Sequence, residues 1–459
     1  MDDSEKTELT PANDNPWYWL ATLYGEQTGE DIDEELVKKN RIAWNRWVAE
    51  AFSAGKRIAL LENGFNEIEL TLFSDIEKKE HYVAVLKRSG RESIALPKPS
   101  ETVDFSSNRF DHSCSFVGYL FPTEVGFHSA IFCGNAYFES ATFSGLANFG
   151  PVTFGGNADF GSTTFSNTAY FDSAKFSDGA NFGSVTFCEN AFFGSSTLSG
   201  GANFGSVIFS GYAQFACATF TGYAHFESET FREHADFKSA KFDSDANFVN
   251  TKFLSTTGFS DAVFRSAVPR FFGATLHEGT EWHGVEWPPA IANRHDDGDR
   301  KDAAQETVYA YERLKQEMEK LKKHEDEQFF FRKELRARRE LYTWRSTYWG
   351  LNFLYEKLSN YGYGVVRPLV AFAALFLVGF ALLAIDPFGF AGRKLTKWDA
   401  AFTSLANMFG SIPLKTLADY KTDKTFAYSA EIFAIFQTIA GAVLLFFFFL
   451  ALRNRFRLR

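Results

Sequence analysis

Residues 180–209 read ANFGSVTFCENAFFGSSTLSGGANFGSVIF, a run of small residues in which a bulky apolar residue returns every five or six positions. A first set of phenylalanines recurs at every eleventh position far beyond this stretch: Phe105, Phe116, Phe127, Phe138, Phe149, Phe160, Phe171, Phe182, Phe193, Phe204, Phe215, Phe226, Phe237, Phe248 and Phe259. A second set stands five positions after each of these: Phe110, Phe121, Phe132, Phe143, Phe154, Phe165, Phe176, Phe187, Leu198, Phe209, Phe220, Phe231, Phe242, Phe253 and Phe264.

An alanine stands two residues before most rings of the first set, from Ala136 to Ala246. Because a step of two along an extended chain returns to the same face, alanine and ring are expected to point inward together. An eleven-residue period also suits a right-handed coil of helices. However, the Gly, Ser, Thr and Asn between the rings are weak helix formers, and a ring every five or six residues wanders around a helix. The pattern therefore predicts a solenoid whose short units bury their rings by stacking.

The segments ADFGSTTF (158–165), ANFGSVTF (180–187) and AQFACATF (213–220) show the repeat at its clearest. Over residues 105–264 the chain resembles the pentapeptide-repeat family, whose units centre on Leu or Phe with Ala two residues before. The resemblance implies a right-handed quadrilateral β-helix with four units in each coil. The units here alternate between five and six residues, which we interpret as two units of each length in every coil, with a bulged corner. About seven coils would form a rod roughly 35 Å long.

The repeat changes after Phe264, where the segment FRSAVPRFF (264–272) shifts its phase by one residue. It resumes weakly at Phe271, Leu276, Trp282 and Trp287, which predicts a C-terminal cap. We therefore assign 101–288 to the solenoid and its cap, and the Pro-rich, charged residues 289–302 to a linker.

The solenoid carries no recognisable catalytic or cofactor motif. Residues 105–264 contain 14 acidic and 6 basic side chains, a net charge of −8. Some pentapeptide-repeat proteins imitate DNA, but so few carboxylates over seven coils make that role, and a nucleic-acid partner, unlikely. The four cysteines form no CxxC pair and no Cys/His cluster, so we expect no metal site, no disulfide framework, no cofactor and no enzymatic activity. A cytosolic protein that binds a face of the β-helix remains a candidate partner.

The N-terminal region differs in kind. Residues 1–15 are acidic, lack the apolar core of a secretory signal and are expected to be a disordered tail. Residues 16–100 are expected to form a small α+β domain of unassigned role. Its four tryptophans, at 17, 19, 44 and 47, lie in helical patterns and are expected to belong to the core. Residues 57–73, RIALLENGFNEIELTLF, predict a strand, a turn and a second strand.

The C-terminal third begins with charged connecting helices over 303–362, which include the basic cluster Arg332, Lys333, Arg336, Arg338 and Arg339. This cluster is either a solvated helix face or a contact with anionic lipid. Two uncharged runs follow at positions 368–385 and 432–452, and each is long enough to cross a bilayer as a helix. Residues 363–459 thus predict a two-span domain of the inner cell membrane. Basic residues at 453, 455, 457 and 459 place both termini in the cytoplasm.

Between the spans, residues 398–408 predict a short helix that ends near Gly410 and Pro413. The segment WDAAFTSLANMFG (398–410) resembles the pore helix of bacterial two-span potassium-channel-like proteins, and family members that join such a segment to pentapeptide repeats are familiar. The resemblance implies a pore loop within 398–413, although NMFGSIP (407–413) replaces the usual filter and leaves potassium selectivity unsupported. The candidate pore-loop residues are Asn407, Met408, Phe409, Gly410 and Ser411, and the candidate lining residues are Glu431, Gln437 and Gly441.

Two hypotheses remain open at this stage. In the first, the chain is an ion-channel-like homo-oligomer, a tetramer if it forms a pore, whose cytosolic β-helix senses a partner or directs assembly. In the second, the spans anchor a protein-binding scaffold that transports nothing. Under the second, Asn407 to Pro413 form an interfacial turn and Gln437 is a helix-packing contact. Subunit number separates the two hypotheses, because one two-span chain cannot enclose a pore.

Overall fold

The structure is a computed structural model that describes residues 9–28, 32–62, 64–288, 297–385, 396–409 and 424–457, with backbone only at 297–300, 424–431 and 457. The chain divides into two compact units. One comprises Met1–His295 with Tyr309–Lys323, and the other comprises Asp296–Val308 with His324–Arg459. The first contains the repeats and the second contains the two apolar helices.

The repeat region is built from strands of two or three residues. In chain order, with the N-terminal strand first, they are β1 (Thr10–Pro11), β2 (Val103–Asp104), β3 (Asn108–Phe110), β4 (Cys114–Ser115), β5 (Leu120–Phe121), β6 (Val125–Gly126), β7 (Ile131–Phe132), β8 (Ala136–Tyr137), β9 (Thr142–Phe143), β10 (Ala147–Asn148), β11 (Thr153–Phe154), β12 (Ala158–Asp159), β13 (Thr164–Phe165), β14 (Ala169–Tyr170), β15 (Lys175–Phe176), β16 (Ala180–Asn181), β17 (Thr186–Phe187), β18 (Ala191–Phe192), β19 (Thr197–Leu198), β20 (Ala202–Asn203), β21 (Ile208–Phe209), β22 (Ala213–Gln214), β23 (Thr219–Phe220), β24 (Ala224–His225), β25 (Thr230–Phe231), β26 (Ala235–Asp236), β27 (Lys241–Phe242), β28 (Ala246–Asn247), β29 (Lys252–Phe253), β30 (Thr257–Gly258) and β31 (Val263–Phe264).

These strands form four parallel sheets, and each strand from β2 to β27 pairs with the strand four places further along the chain. The pairing advances by one full coil of four units at a time, as from Ala158 to Ala180 and from Ala180 to Ala202. From β28 onward this step is longer by one residue, for example between Asn247 and Arg270 and between Val263 and Glu286. The predicted solenoid of about seven turns is confirmed, and the shift of phase after Phe264 corresponds to this extra residue.

The rings of the first set fill the interior in two columns. Within a column, Phe182 and Phe204 stack with centroids 4.9 Å apart and planes 4° apart. Between the columns, Phe193 meets Phe204 edge to face at 5.4 Å and 84°. Both are favoured geometries of aromatic pairs. One step of eleven positions therefore moves to the other column, whereas two such steps return to the same column and stack the rings.

Two residues after most rings of the first set, where the chain turns a corner, a residue has left-handed backbone. At Ser184 φ is +60°, and the next amide, that of Val185, donates to the carbonyl of Phe182 at 3.2 Å. Serine occupies this position most often: Ser107, Ser129, Ser140, Ser162, Ser173, Ser184, Ser195, Ser206, Ser228 and Ser239 have φ between 55° and 66°. This is the third residue of a type II turn, a position that favours glycine. The chain thus turns each of these corners with a non-glycine residue in a strained conformation.

Replacing Ser184 with glycine is therefore expected to stabilise the solenoid by up to about 1 kcal/mol, because glycine adopts positive φ without steric cost. Replacing it with valine should destabilise the solenoid by more than about 1 kcal/mol, since a β-branched side chain fits this region poorly. Ser199→Gly is the matched control, because Ser199 is exposed and is not among the residues with positive φ. Chemical unfolding of the three variants measures the order. Equal effects of glycine at both positions would contradict the prediction.

The N-terminal region is helical, with α1 (Pro16–Ala21), α2 (Glu34–Val48), α3 (Ala54–Glu62), α4 (Glu67–Leu70) and α5 (Asp75–Ser89). The predicted strand, turn and strand over 57–73 is wrong, and with it the α+β assignment of this domain. Gly64 has φ of +94° and its amide donates to the carbonyl of Leu61 at 3.0 Å, so it ends a helix instead of forming a hairpin. A glycine with positive φ suits both roles, so the local sequence did not distinguish them.

These helices cover the first coil of the solenoid. The indole N–H of Trp44 donates to the carbonyl of Leu120 at 2.8 Å. The side chain of Asn45 accepts from the amide of Leu120 at 2.9 Å and donates to the carbonyl of Gly118 at 3.0 Å. Side chains of α2 thus pair backbone groups of β5, the last strand of its sheet. Unpaired backbone groups on such an edge strand otherwise promote aggregation. The expectation that the four tryptophans are core residues is confirmed, since all four are buried.

Residues 9–15 were expected to belong to a disordered tail but are ordered. Thr10 and Pro11 form β1, which pairs in parallel with Asn108 and Arg109 of β3. At the other end of the solenoid, Trp282 stacks on Phe259 at 4.8 Å, and Trp287 lies 5.7 Å from Phe264. These rings continue the stacking beyond Phe264, in the segment predicted to be the cap.

The C-terminal part consists of α6 (Asp297–Lys320), α7 (His324–Glu340), α8 (Thr347–Ser359), α9 (Val366–Ile385), α10 (Lys397–Met408) and α11 (Lys424–Arg457). Helix α6 begins within the range assigned to the linker. Helix α9 and residues Ile432–Phe456 of α11 are long and apolar enough to cross a membrane. Only 17% and 22% of their most apolar windows are buried, whereas the core helix of a soluble protein is mostly buried. Length, composition and exposure thus support an association with a membrane.

Candidate functional site

The candidate site is the contact of α10 with α9 and α11. Helix α10 begins after Thr396, whose hydroxyl accepts from the amide of Asp399 at 3.2 Å, and it ends at Met408. The short helix predicted at 398–408 is therefore confirmed. It would measure about 18 Å along its axis, too short to cross a hydrocarbon core of about 30 Å. It packs against both apolar helices within one chain.

A chain of hydrogen bonds joins the three helices at this contact. Asn407 of α10 donates to the side-chain carbonyl of Gln437 of α11 at 3.3 Å. The amide of Gln437 donates to the hydroxyl of Ser404 at 2.8 Å, and that hydroxyl donates to the backbone carbonyl of Phe376 in α9 at 3.0 Å. Gln437 is 0% exposed. Because an unpaired polar group is costly in an apolar surrounding, this series of hydrogen bonds holds the three helices in one arrangement.

Thr438 adds a second link next to the first. Its hydroxyl lies 2.7 Å from the backbone carbonyl of Asn407 and 2.8 Å from that of Ala434 in its own helix, and it can donate to either. The Asn407 carbonyl lies in the last turn of α10, where it also accepts from the backbone amide of Phe409. The C-terminal end of α10 is thus bound to α11 both through a side chain and through the backbone.

Two glycines allow the close approach of these helices. A Cβ atom at Gly379 of α9 would lie 2.0 Å from the Gln437 amide nitrogen and 2.4 Å from the Ser404 hydroxyl. A Cβ atom at Gly441 of α11 would lie 2.5 Å from the backbone carbonyl oxygen of Met408. Small residues at helix contacts are typical of membrane helices, where close packing replaces the hydrophobic effect.

Gly441→Ala is expected to destabilise the three-helix contact by about 2 kcal/mol, because the backbone of Met408 cannot move aside as a flexible side chain could. Gly350→Ala is the control, since Gly350 lies in α8 and has no atom within 4 Å of the added Cβ. Thermal unfolding in detergent measures the effect. An unchanged midpoint in Gly441→Ala would show that α10 is not held as described.

The predicted site residues fall into three groups. Asn407, Met408, Gln437 and Gly441 meet at this contact, where all four are buried. Phe409 is 56% exposed, and its ring contacts Phe372 at 5.6 Å. Gly410 and Ser411 lie outside the described residues, as does the side chain of Glu431, of which only the helical backbone in α11 is described.

Sequence reasoning did not identify Ser404, Thr438 and Gly379 as members of this site. Ser404 and Asn407 are three residues apart and so share a face of α10. Gly379 and Thr438 are a small and a polar residue within otherwise apolar runs. Those signals were present in the sequence. They indicate which residues avoid lipid, although they do not indicate which helix each one meets.

Among the residues that the structure describes, no group of three or more His, Cys, Asp or Glu side chains is arranged to hold a metal ion. No protein-family model matches this chain, and no curated protein or solved structure matches it significantly.

Proposed function

We propose that this chain is an integral membrane protein of the inner cell membrane that assembles as a homo-oligomer, with tetramer as the favoured state, around a pore for small ions. The observation that carries the proposal is the short helix α10, held between two apolar helices by buried polar groups. Its Ser404 bonds to the carbonyl of Phe376, midway along α9. If α9 crosses the bilayer, α10 therefore enters the hydrocarbon region without crossing it.

A simple anchor needs no such helix. Two apolar helices suffice to hold a domain at a membrane, and each buried polar group in that region adds a cost. Short helices and irregular backbone at membrane depth are tolerated where they are enclosed by protein or line a water-filled cavity. The chain that follows α10 begins at the exposed Phe409, and this segment is our candidate for the constriction.

One copy of the chain cannot form the pore. The three helices contact each other directly, and Gln437, a predicted lining residue, makes its hydrogen bonds within one chain. The lumen would therefore form between copies, next to outward-facing residues of α10 and α11. Phe402 of α10 and Ile439 of α11 are exposed in the single chain and are available for such contacts.

The orientation follows from charge. Basic side chains at 453 and 455 end α11, and the cluster at 332–339 precedes α9. Positive residues favour the cytoplasmic side, so both termini and the solenoid are cytoplasmic. We further propose that the solenoid is a right-handed quadrilateral β-helix of the pentapeptide-repeat kind. Support comes from its four parallel sheets, its regular register of one coil per strand and the right-handed preference of parallel crossovers.

Ion flux through liposomes that carry the purified full-length protein tests the proposal. We expect flux of small ions above that of protein-free liposomes, and a changed flux in Phe409→Ala. Phe456→Ala is the control, because Phe456 is also exposed but lies at the C-terminal end of α11, away from Gly441, where α10 makes its contact. The oligomer size should be measured in the same vesicles. An inserted protein that is monomeric, or an inserted oligomer that is silent with and without cytosolic extract, would reject the pore.

A membrane-anchored, protein-binding scaffold is the second candidate, and one feature of the solenoid favours it. On one sheet the amide of Asn181 donates to Asp159 at 2.9 Å, and the amide of Asn203 donates to Asn181 at 2.9 Å. Such a ladder fixes outward polar groups at the spacing of the strands. A rigid polar face suits recognition of a cytosolic protein, whereas the acidic charge of the repeats disfavours nucleic acid.

A further inference from the structure

Helix α8 has the reverse of the usual arrangement of polar and apolar side chains. It begins after Ser346, whose hydroxyl accepts from the amide of Trp349 at 3.1 Å, and ends at Ser359, followed by Asn360 with left-handed backbone. It immediately precedes α9 in the chain. A surface helix of a soluble domain normally buries its apolar face and exposes its polar face. In α8 the polar side chains of Asn352 and Glu356 face the protein.

The inward side of α8 packs on α7 through polar groups. Asn352 is buried and donates to the carbonyl of Leu335 at 3.1 Å, and it accepts from the hydroxyl of Tyr361 at 2.9 Å. Glu356 is mostly buried and accepts from Arg336 at 2.8 Å and from Arg339. These groups are paired inside the protein. Turning α8 to expose them would break the ion pairs and hydrogen bonds together.

The outward side of α8 is apolar. Leu351 is 63% exposed and Leu354 is 51% exposed, and the exposed Tyr348 extends the stripe by three residues. The exposed Trp344 precedes the helix. Residues at steps of three lie on one side of a helix, so these side chains form a continuous apolar surface. In water such a surface would be unfavourable, because every exposed leucine costs the free energy of its hydration.

The position of α8 beside the apolar helices indicates what covers this surface. The Tyr355 ring lies 5.5 Å from Phe447 of α11. Just after α8, the carbonyl of Gly362 accepts from the side chain of Asn454 at 3.0 Å. The uncharged run of α11 ends at Leu452, between these two contacts. The C-terminal end of α8 is therefore level with the end of that run, where a bilayer would meet cytosol.

We propose that α8 lies in the cytoplasmic interface of the bilayer, with Tyr348, Leu351 and Leu354 in contact with acyl chains. This inference rests on the proposed insertion of α9 and α11, but not on ion conduction. Charge favours lipid over a second copy of the chain as the occupant. Arg345 precedes α8 and Lys357 follows Leu354 by three residues, and both side chains are exposed, so they can meet anionic headgroups. Aromatic side chains such as Trp344 and Tyr348 are also typical of this interface.

Spin-label accessibility in the full-length protein tests the proposal. The native cysteines at 114, 133, 188 and 217 all lie in the solenoid and are first replaced by serine, with the fold checked by circular dichroism. Labels are then placed by Leu351→Cys and Leu354→Cys in vesicles of phosphatidylcholine and phosphatidylglycerol. Val370→Cys on the exposed side of α9 is the lipid reference, and Ser184→Cys on the solenoid is the aqueous reference.

We expect labels at 351 and 354 to be accessible to oxygen and shielded from a water-soluble nickel chelate, as at 370. Chelate access at 351 and 354 like that at 184, with 370 still shielded, would overturn the inference and keep the membrane insertion. Low access to both reagents at 351 and 354 would also overturn it, since protein would then cover the stripe. Chelate access at 370 would overturn the insertion itself and the inference with it.

Discussion

Replacing Phe204 with alanine is expected to lower the free energy of unfolding of the solenoid by about 4 kcal/mol, because it leaves a cavity in a closely packed interior. The Phe204 ring is buried between two stacked neighbours, Phe182 at 4.9 Å and Phe226 at 4.8 Å. It also meets Phe193 and Phe215 edge to face, both at 5.4 Å. The strands beside it are two residues long and cannot collapse without breaking their own register.

Hydrogen exchange with mass spectrometry on the full-length protein can localise this effect to peptides around 190–220. In the alanine variant, protection should fall most in the coils that contact position 204, since each coil of a solenoid is stabilised by its neighbours. Phe204→Leu is the control and should cost about 1 kcal/mol, since it keeps the position apolar with a smaller loss of volume. The chain already accepts leucine at position 198 of the second set. Similar protection in both variants would contradict the cavity argument.

Glu229→Gln is expected to stabilise the solenoid at neutral pH. Glu229 is 0% exposed and occupies an inward position that holds Val207 one coil before it and Thr251 one coil after it. The hydroxyl of Thr251 lies 3.0 Å from one carboxyl oxygen and donates to the carbonyl of Phe226. One hydroxyl proton cannot serve both contacts, so the neutral acid, which donates to Thr251, fits the geometry best. The other carboxyl oxygen is buried and has no hydrogen-bond partner among the described residues.

Burial is the main cause that raises the pKa of Glu229 from 4.5 to about 8, and the nearby charge of Glu227 adds to it. The folded state thus binds a proton that the unfolded chain has lost above pH 4.5, so stability falls as pH rises from 4.5 to about 8. Glutamine has no proton to lose. We expect Glu229→Gln to gain about 3 kcal/mol at pH 7, and about 5 kcal/mol above pH 8, relative to the native residue.

Urea unfolding at pH 4.5, 7 and 8.5 measures this difference, with the conditions spanning the two pKa values. Glu227→Gln is the matched control, because Glu227 is exposed and two residues away. The control should change the slope of stability with pH only slightly. A slope for Glu229→Gln equal to that of the native protein would show that Glu229 is ionised in the fold.

The solenoid could be predicted from the sequence because its signal repeats many times. Every ring of the two sets lies inside, and a misplaced residue such as Glu229 stands out against the pattern. The corner residues were harder to predict. Serine is common in solvated turns, and here it adopts positive φ at ten corners. The presence of a serine in the sequence does not indicate that conformation.

The N-terminal helices show where local reasoning fails. The Asn66 side chain accepts from the amide of Ile68 at 2.9 Å and begins α4, whereas the apolar residues around it suggested strands. Short apolar runs suit a helix and a strand equally well. What decided between them was packing on α2, where the side chain of Asn45 donates to Glu69 of α4 at 2.7 Å and also accepts from the amide of Leu120. No local pattern records the contact with Leu120, which joins residues about 75 positions apart.

The sequence by itself determined the stacked repeat, the two long apolar helices and the short helix between them. Each depends on periodicity or on length, and both are properties of the chain in one dimension. Only the tertiary structure decided that Gln437 faces Ser404 and Asn407 within one chain, and that α8 turns Asn352 inward and Leu351 outward. The physical reason is the same in both cases. A polar side chain among apolar residues must find a partner, and which partner is available depends on how helices distant in the chain pack together.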